Sequence, residues 1–286
     1  ATQRQILAVA LGFVSSDLHG VATSTMPLPR RSSLYPWQAN VAAFAADHPL
    51  AVVTASNHLV LGVLAAHAVA SHCALLGSLH MYTHIVGVRR LAVVPTDAPL
   101  SVRTTLRTVA PHRRGVLVAI RRDVHLARLA DEPLATITDV LLLRAAPSLR
   151  ALVAESTGTT WLGLDVVDAD LILPRLPPVP TETVPCSPLL LDPAWGSRYA
   201  TLSGDHNPIH LYGAAAWLAG LGSRPIAHGM SVVRAVWAST VPATVDTAHA
   251  WFTKPVPFPA PSVPVARAPD TTDYFVAGKS VVLRVA

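Results

Sequence analysis

From Leu59 to Gly77 the chain runs nineteen residues without an Asp, Glu, Lys or Arg. A stretch of that length can cross a bilayer, and otherwise it must be buried inside the fold. His67 and His72 interrupt it, and no second stretch behaves like a partner span. The better reading is a helix over roughly Asn57–Leu76, apolar on all sides and packed inside a sheet. The period then changes from helical to strand-like. Leu79–Val94 is rich in strand formers and broken around Gly87. Ser101–Val109 alternates, with Val102, Thr104, Leu106 and Thr108 on one face and Arg103, Thr105 and Arg107 on the other. Pro111–Gly115 reads as a turn. Val116–Val124 and Leu134–Leu143 read as further strands, joined near Asp131-Glu132-Pro133. One buried helix followed by four antiparallel strands is an α+β arrangement, a sheet wrapped round a helix.

The same order returns later. Ser187–Leu191 is a short strand, Gly229–Thr240 is a helix with Met230, Val233, Val236 and Trp237 at core spacing, and strands follow at Thr247–Pro255, Ser262–Ala268 and Tyr274–Val285. Residues 146–188 are less regular, and Pro174–Pro180 reads as a semi-extended, proline-rich linker. The expected organisation is therefore a first unit over 1–150, a linker over 151–188 and a second unit over 189–286. At the start, Ile6–Val14 reads as an N-terminal helix rather than a signal-peptide core, because its basic flank is thin and no small-x-small site follows.

Chemistry concentrates in Tyr199-Ala200-Thr201-Leu202-Ser203-Gly204-Asp205-His206-Asn207-Pro208-Ile209-His210. Gly204, Asp205 and Asn207 are turn formers. Asn207 before Pro208 is an N-cap followed by a favoured first-turn residue. Ala214–Ala219 continues the helix, and Gly220 or Gly222 ends it. His210 then sits in the first helical turn with Asp205 just outside, where the helix dipole favours a charged aspartate and a neutral imidazole. Such a pair is competent for acid/base work near neutral pH. His206 and His210 also have the spacing of a metal pair, but Pro208 lies between them and no third ligand is near, so no metal is expected.

This run resembles the hydratase signature of the MaoC-like dehydratases, the (R)-specific enoyl-thioester hydratases. An aromatic residue, a short spacer, Ser203, then Gly204-Asp205-x-Asn207-Pro208-Ile209-His210 and the small Ala216 all match, and Ile226-Ala227-His228-Gly229-Met230 follows before the second-half helix. The resemblance implies a double hotdog, two antiparallel sheets each wrapped round a central helix. Only the C-terminal hotdog would be catalytic, and the N-terminal one would shape an acyl pocket. The first half agrees: Phe44–Pro49 faintly echoes the motif, but no Asn-Pro follows and Val52 stands five places after Asp47. The implied reaction is reversible hydration of trans-2-enoyl thioesters to (3R)-hydroxyacyl thioesters, on CoA or on an acyl carrier protein, in fatty-acid metabolism. Asp205 and His210 would move the protons and Gly229 would offer a backbone N–H to the oxyanion. Ser203, Gly204, Asn207 and Pro208 would shape the loop. His228, Arg224 and Lys254 are weaker candidates for substrate binding. No cofactor is implied.

Composition narrows the alternatives. Half the 286 residues are hydrophobic (51%) and 14% are charged, enough for a sizeable core. The formal charge is +5, with lysine only at Lys254 and Lys279. A basic balance suits phosphate-bearing substrates. There is no dense basic block with interleaved aromatics, so nucleic acid is not an expected partner. Cys73 and Cys186 are too few for a disulfide framework, which fits a cytoplasmic setting. A monomeric pseudo-dimer and a homodimer are both consistent with the sequence. A hotdog thioesterase and a non-catalytic acyl-thioester-binding subunit are the competing readings.

Overall fold

In a computed structural model, residues 21–26, 50, 53–54, 56–67, 72–94, 100–126, 132–241 and 244–286 are described. The helix expected over Ile6–Val14 and the motif echo around Asp47 lie outside them.

The long apolar run does not stay helical. After β1 (Val21–Met26), α1 (Asn57–Ala66) stops at His67, whose backbone is extended (φ −83°, ψ 152°), and the chain enters β2 (Ala74–Val86). Of the run, residues 59–66 lie in the helix and residues 74–77 in the strand after it. No helix among the described residues is long and apolar enough to cross a membrane. Gly87, in a left-handed conformation (φ 88°), turns β2 into the short α2 (Val88–Ala92).

β3 (Leu100–His112), β4 (Gly115–Leu126) and β5 (Ala135–Arg144) form a meander. The alternation in β3 holds through Leu106, and a bulge between Leu106 and Thr108 then shifts the phase, burying Val109 and Ala110. His112 pairs with Gly115, so the expected five-residue turn shrinks to Arg113-Arg114.

The irregular segment holds more structure than its composition suggests. α3 (Pro147–Glu155) is followed by the hairpin β6 (Thr160–Trp161) and β7 (Leu164–Val166), which runs parallel to β3, and by α4 (Ala169–Ile172). The proline-rich stretch then lies on the sheet rather than free of it: Pro177 is buried, Leu173 and Leu176 pack against the cluster that holds Tyr82, Leu142 and Phe275, and Trp251 Nε1 donates to Pro174 O at 2.9 Å.

The second half consists of β8 (Val184–Leu191), α5 (Trp195–Ser203), a 3₁₀ turn at Pro208–His210, α6 (Gly213–Leu218), α7 (Gly229–Thr240), β9 (Thr247–Phe252), β10 (Ala260–Arg267), β11 (Asp273–Val276) and β12 (Val281–Val285). The single strand expected over Tyr274–Val285 is a hairpin, turning at Ala277-Gly278, both at positive φ. Every residue of α7 from Met230 to Trp237 is buried, including the polar Ser231 and Arg234 among the apolar side chains. Each fully buried large apolar side chain there is worth roughly 1.5–3 kcal/mol.

The strands join in one sheet, in the order β6-β7-β3-β4-β5-β2-β9-β12-β11-β10-β8, with β1 on β3. β2 and β9, the strands that follow α1 and α7, pair antiparallel from Tyr82↔Trp251 to Val86↔Thr247. The fold is a double hotdog of the α+β class, with its two sheets fused edge to edge at that seam. The two halves also share a core: Leu59, Ile85 and Val124 belong to the same cluster as Val233, Phe252 and Leu283.

Candidate active site

The motif is folded as helix, loop and tight turn. Tyr199 to Ser203 close α5, and Gly204 ends it in the left-handed region (φ 68°). Asn207 caps only the 3₁₀ turn, accepting from the Ile209 N–H at 3.4 Å, with Pro208 at its first position. The continuous helix expected from Pro208 to Ala219 is broken before Gly213. His210 therefore gains little from a helix dipole, since a three-residue turn aligns few peptides.

Asp205 is held from both sides. Ser203 Oγ donates to Tyr199 O (2.8 Å) and accepts the Asp205 N–H (3.1 Å), while Asp205 Oδ1 accepts the Asn207 N–H (3.1 Å). These bonds leave Oδ2 as the carboxylate oxygen not committed to the loop. A second constraint was not visible in the sequence. A Cβ on Gly196 would stand 2.0 Å from His210 O, so α5 touches the 3₁₀ turn only because that residue is glycine.

Two imidazoles complete the centre. His210 Nδ1 lies 2.8 Å from Ile226 O, and since a carbonyl only accepts, Nδ1 carries the proton and Nε2 the lone pair of the neutral ring. Burial pushes His210 below its ordinary 6.5, against the opposing pull of Asp205. The neutral imidazole expected from a helix dipole is thus produced mainly by burial. His228, the N-cap of α7, donates Nε2–H to Asp205 O at 3.0 Å and stacks on His210 with ring centroids 3.7 Å apart. Burial and the neighbouring His210 hold it well below 6.5. Its Nδ1 is buried with no hydrogen-bond partner among the described residues.

An oxygen of Asp205 and ring nitrogens of His210 and His228 lie within 4.8 Å of one another, a separation that one water can bridge. The same three residues are ligand types for a metal. However, stacked rings send their in-plane lone pairs along near-parallel planes rather than to a common point, and His206 is not part of the group.

The trio opens on a cavity of about 170 Å³ walled by both halves. The first half contributes His80 together with Asn57 and Arg114, and the last two were not expected as site residues. Asn57 Nδ2 reaches Asp205 Oδ2 at 3.5 Å, across 148 positions of sequence. Lys254 lines the cavity, as expected of a substrate-binding residue. Arg224 does not line it and donates instead to Pro259 O at 3.3 Å. Gly229 lies at the wall and opens α7, where its N–H has no intrahelical acceptor. A Cβ there would meet Phe252 Cδ1 at 2.4 Å, so the space is taken by the Phe252 ring rather than by a ligand.

A two-half α+β shell with an aspartate–histidine pair beside the N-terminus of α7 defines a double hotdog with a polar centre in its second half. Residues 177–269, which contain that whole centre, match the model of the MaoC like domain. Over 189 residues the chain is 33% identical to 3-hydroxyacyl-thioester dehydratase X of Mycobacterium tuberculosis, a match covering 65% of this chain and 58% of that protein's length. Among solved structures, HtdX of Mycobacterium tuberculosis superposes with a TM-score of 0.62 at 21% identity, covering 93% of this chain and 98% of the other. Full-length peroxisomal multifunctional enzyme type 2 of Drosophila melanogaster superposes at 0.54 and 17% identity, covering 93% and 48%. At those identities the likeness is one of fold.

Proposed function

We propose that the chain is a hydro-lyase that interconverts trans-2-enoyl and (3R)-hydroxyacyl thioesters. The observation that carries this reading is the Asp205–His210 pair, water-spanning in separation, on a cavity with the first N–H of α7 at its wall. As the water oxygen bonds to the substrate β carbon, its proton passes to the pair. Negative charge builds on the thioester oxygen, where the Gly229 N–H stabilises it. The pair then delivers a proton to the α carbon and returns to its starting state. Acid/base groups so placed contribute about 10²–10⁴-fold. His210 Nε2 is the natural acceptor, because its other nitrogen is fixed on Ile226 O. Arg114 and Lys254 supply positive charge at the cavity wall for the phosphates of CoA or of a carrier's phosphopantetheine. A cytoplasmic setting agrees with the two free cysteines, Cys73 and Cys186.

The test uses purified protein with crotonyl-CoA. Loss of the enoyl-thioester absorbance, with (3R)-3-hydroxybutyryl-CoA as product, is the expected result. Release of free thiol would make the protein a thioesterase, and silence on both readouts would make it a binding subunit.

A further inference from the structure

The first half carries a buried polar chain that ends at the catalytic loop of the second. Arg122 on β4 is completely buried. Its Nε and Nη2 donate to Asp139 Oδ2 at 2.9 and 2.6 Å, and its Nη1 donates to Val53 O and Ser56 Oγ, each at 2.8 Å. Asp139 Oδ1 accepts from Thr83 Oγ1 at 2.8 Å, and His80 Nε2 stands 2.7 Å from that hydroxyl. Arg122 holds the Asp139 carboxyl down at about 2 against the effect of its burial. Desolvating such a pair is costly, so fold stability alone does not account for it. What the pair does locally is grip the start of α1. Ser56 is the N-cap, yet its hydroxyl makes no capping bond to α1 and accepts from Arg122 instead. The next residue is Asn57, at the cavity wall, with its amide 3.5 Å from Asp205 Oδ2.

We infer that Asn57 is a positioning residue supplied by the otherwise unarmed half, aimed at the working oxygen of Asp205 by the buried Arg122–Asp139 pair. Asp205 Oδ1 is occupied by the Asn207 N–H, so the loop alone fixes only one carboxylate oxygen. The Asn57 N–H points the second and sets the rotation of the carboxylate toward the water. At 3.5 Å the bond is at the long end of the hydrogen-bond range. This inference rests on reading Asp205 as the proton-transfer group, and it makes the single active site a product of both halves.

Two measurements test it. In turnover of enoyl-CoA, Asn57→Ala should lower kcat by roughly 10- to 100-fold with KM within about twofold, as expected for misaligned catalytic groups. Asn57→Asp has the same shape but no N–H to donate, so it should be at least as impaired. An Asn57→Asp enzyme near wild-type, or a loss confined to KM, would assign Asn57 to packing or substrate binding and overturn the inference. The second measurement does not depend on activity. In urea unfolding, the losses in Asn57→Ala and Asp205→Ala should be non-additive in the double variant. Additive losses would remove the contact and the inference with it. Non-additive losses in a wild type that hydrates nothing would leave the contact standing and bring down only the hydratase reading.

Discussion

Asp205 and His210 are held by different kinds of contact, and this decides which substitutions test them cleanly. Asp205 shapes its own loop through Oδ1, so an asparagine, which keeps an acceptor oxygen there, should preserve the turn and lose the chemistry. His210 is anchored through Nδ1 on a carbonyl, and a glutamine can still donate to it. Asp205→Asn and His210→Gln should each lower kcat by about 10²–10⁴-fold with thermal unfolding little changed. Near-normal turnover in either would end the mechanism. Burial keeps the His210 base form present below its ordinary 6.5, so wild-type kcat should decline only on the acid side of that value. At the wall, Arg114→Ala and Lys254→Ala should raise KM for a CoA thioester, and added salt should raise the wild-type KM in the same direction by screening those charges. Arg224→Ala should leave KM unchanged, since Arg224 is outside the cavity. The clustering of these polar groups was legible in the sequence because the motif packs them within six positions. Arg114 was not, because only the tight β3–β4 hairpin carries a dibasic turn to the cavity.

The elements show where local signals stop being sufficient. α7 was readable from Met230, Val233, Val236 and Trp237, and its observed span Gly229–Thr240 agrees with that reading. α1 was misjudged in length because apolar content does not distinguish a buried helix from a buried strand, and Ala74–Gly77 belong to β2. The β11–β12 hairpin was missed because its four-residue turn, residues 277–280, is short and sits between two runs of strand formers. The most consequential omission was Gly196, which lies inside a helix and gives no turn signal. Its role follows only from α5 and the 3₁₀ turn being in contact. Gly196→Ala would place a Cβ 2.0 Å from the carbonyl of His210, and backbone cannot yield as a side chain can. Overpacking of this kind costs about 1–3 kcal/mol, and here the displaced group is the backbone of His210. The expected outcome is a lower unfolding midpoint together with a fall in kcat larger than the rise in KM. Gly229→Ala presses on the Phe252 ring instead, a side chain that can move, and should be the milder of the two in unfolding. If Gly196→Ala were the milder, the contact between α5 and the turn would not be what places His210.

At the scale of the whole molecule, the repeat was visible only as an order of elements, and the joint between its copies was invisible, since β2 and β9 meet across more than 160 positions of sequence. That joint carries an unusual pair. His84 and His249 face each other in register and stack with ring centroids 4.2 Å apart, while Tyr82 and His249 share a 2.6 Å hydrogen bond. Burial, His84 and the cross-strand Arg284 push His249 down to about 4, and burial lowers His84 as well. Folded His249 therefore stays neutral at a pH where an unfolded imidazole, near 6.5, is already protonated. Between those values the unfolded chain binds the extra proton, so stability is full above 6.5 and is lost as the pH falls toward 4. His210 and His228 shift in the same direction and steepen the loss. Asp139, held at about 2 by Arg122, belongs to a lower window: its stabilisation is present above 3.8 and fades only as the pH falls toward 2. The urea midpoint should accordingly be level from pH 8 to about 7 and drop between 6.5 and 4. His249→Gln, which keeps an acceptor for Tyr82 but cannot titrate, should flatten that drop and leave the region below 3.8 unaltered. An identical slope in the variant would mean that the seam is not where acid first loosens the two halves, and would move the sensitivity to the stacked pair at the active site.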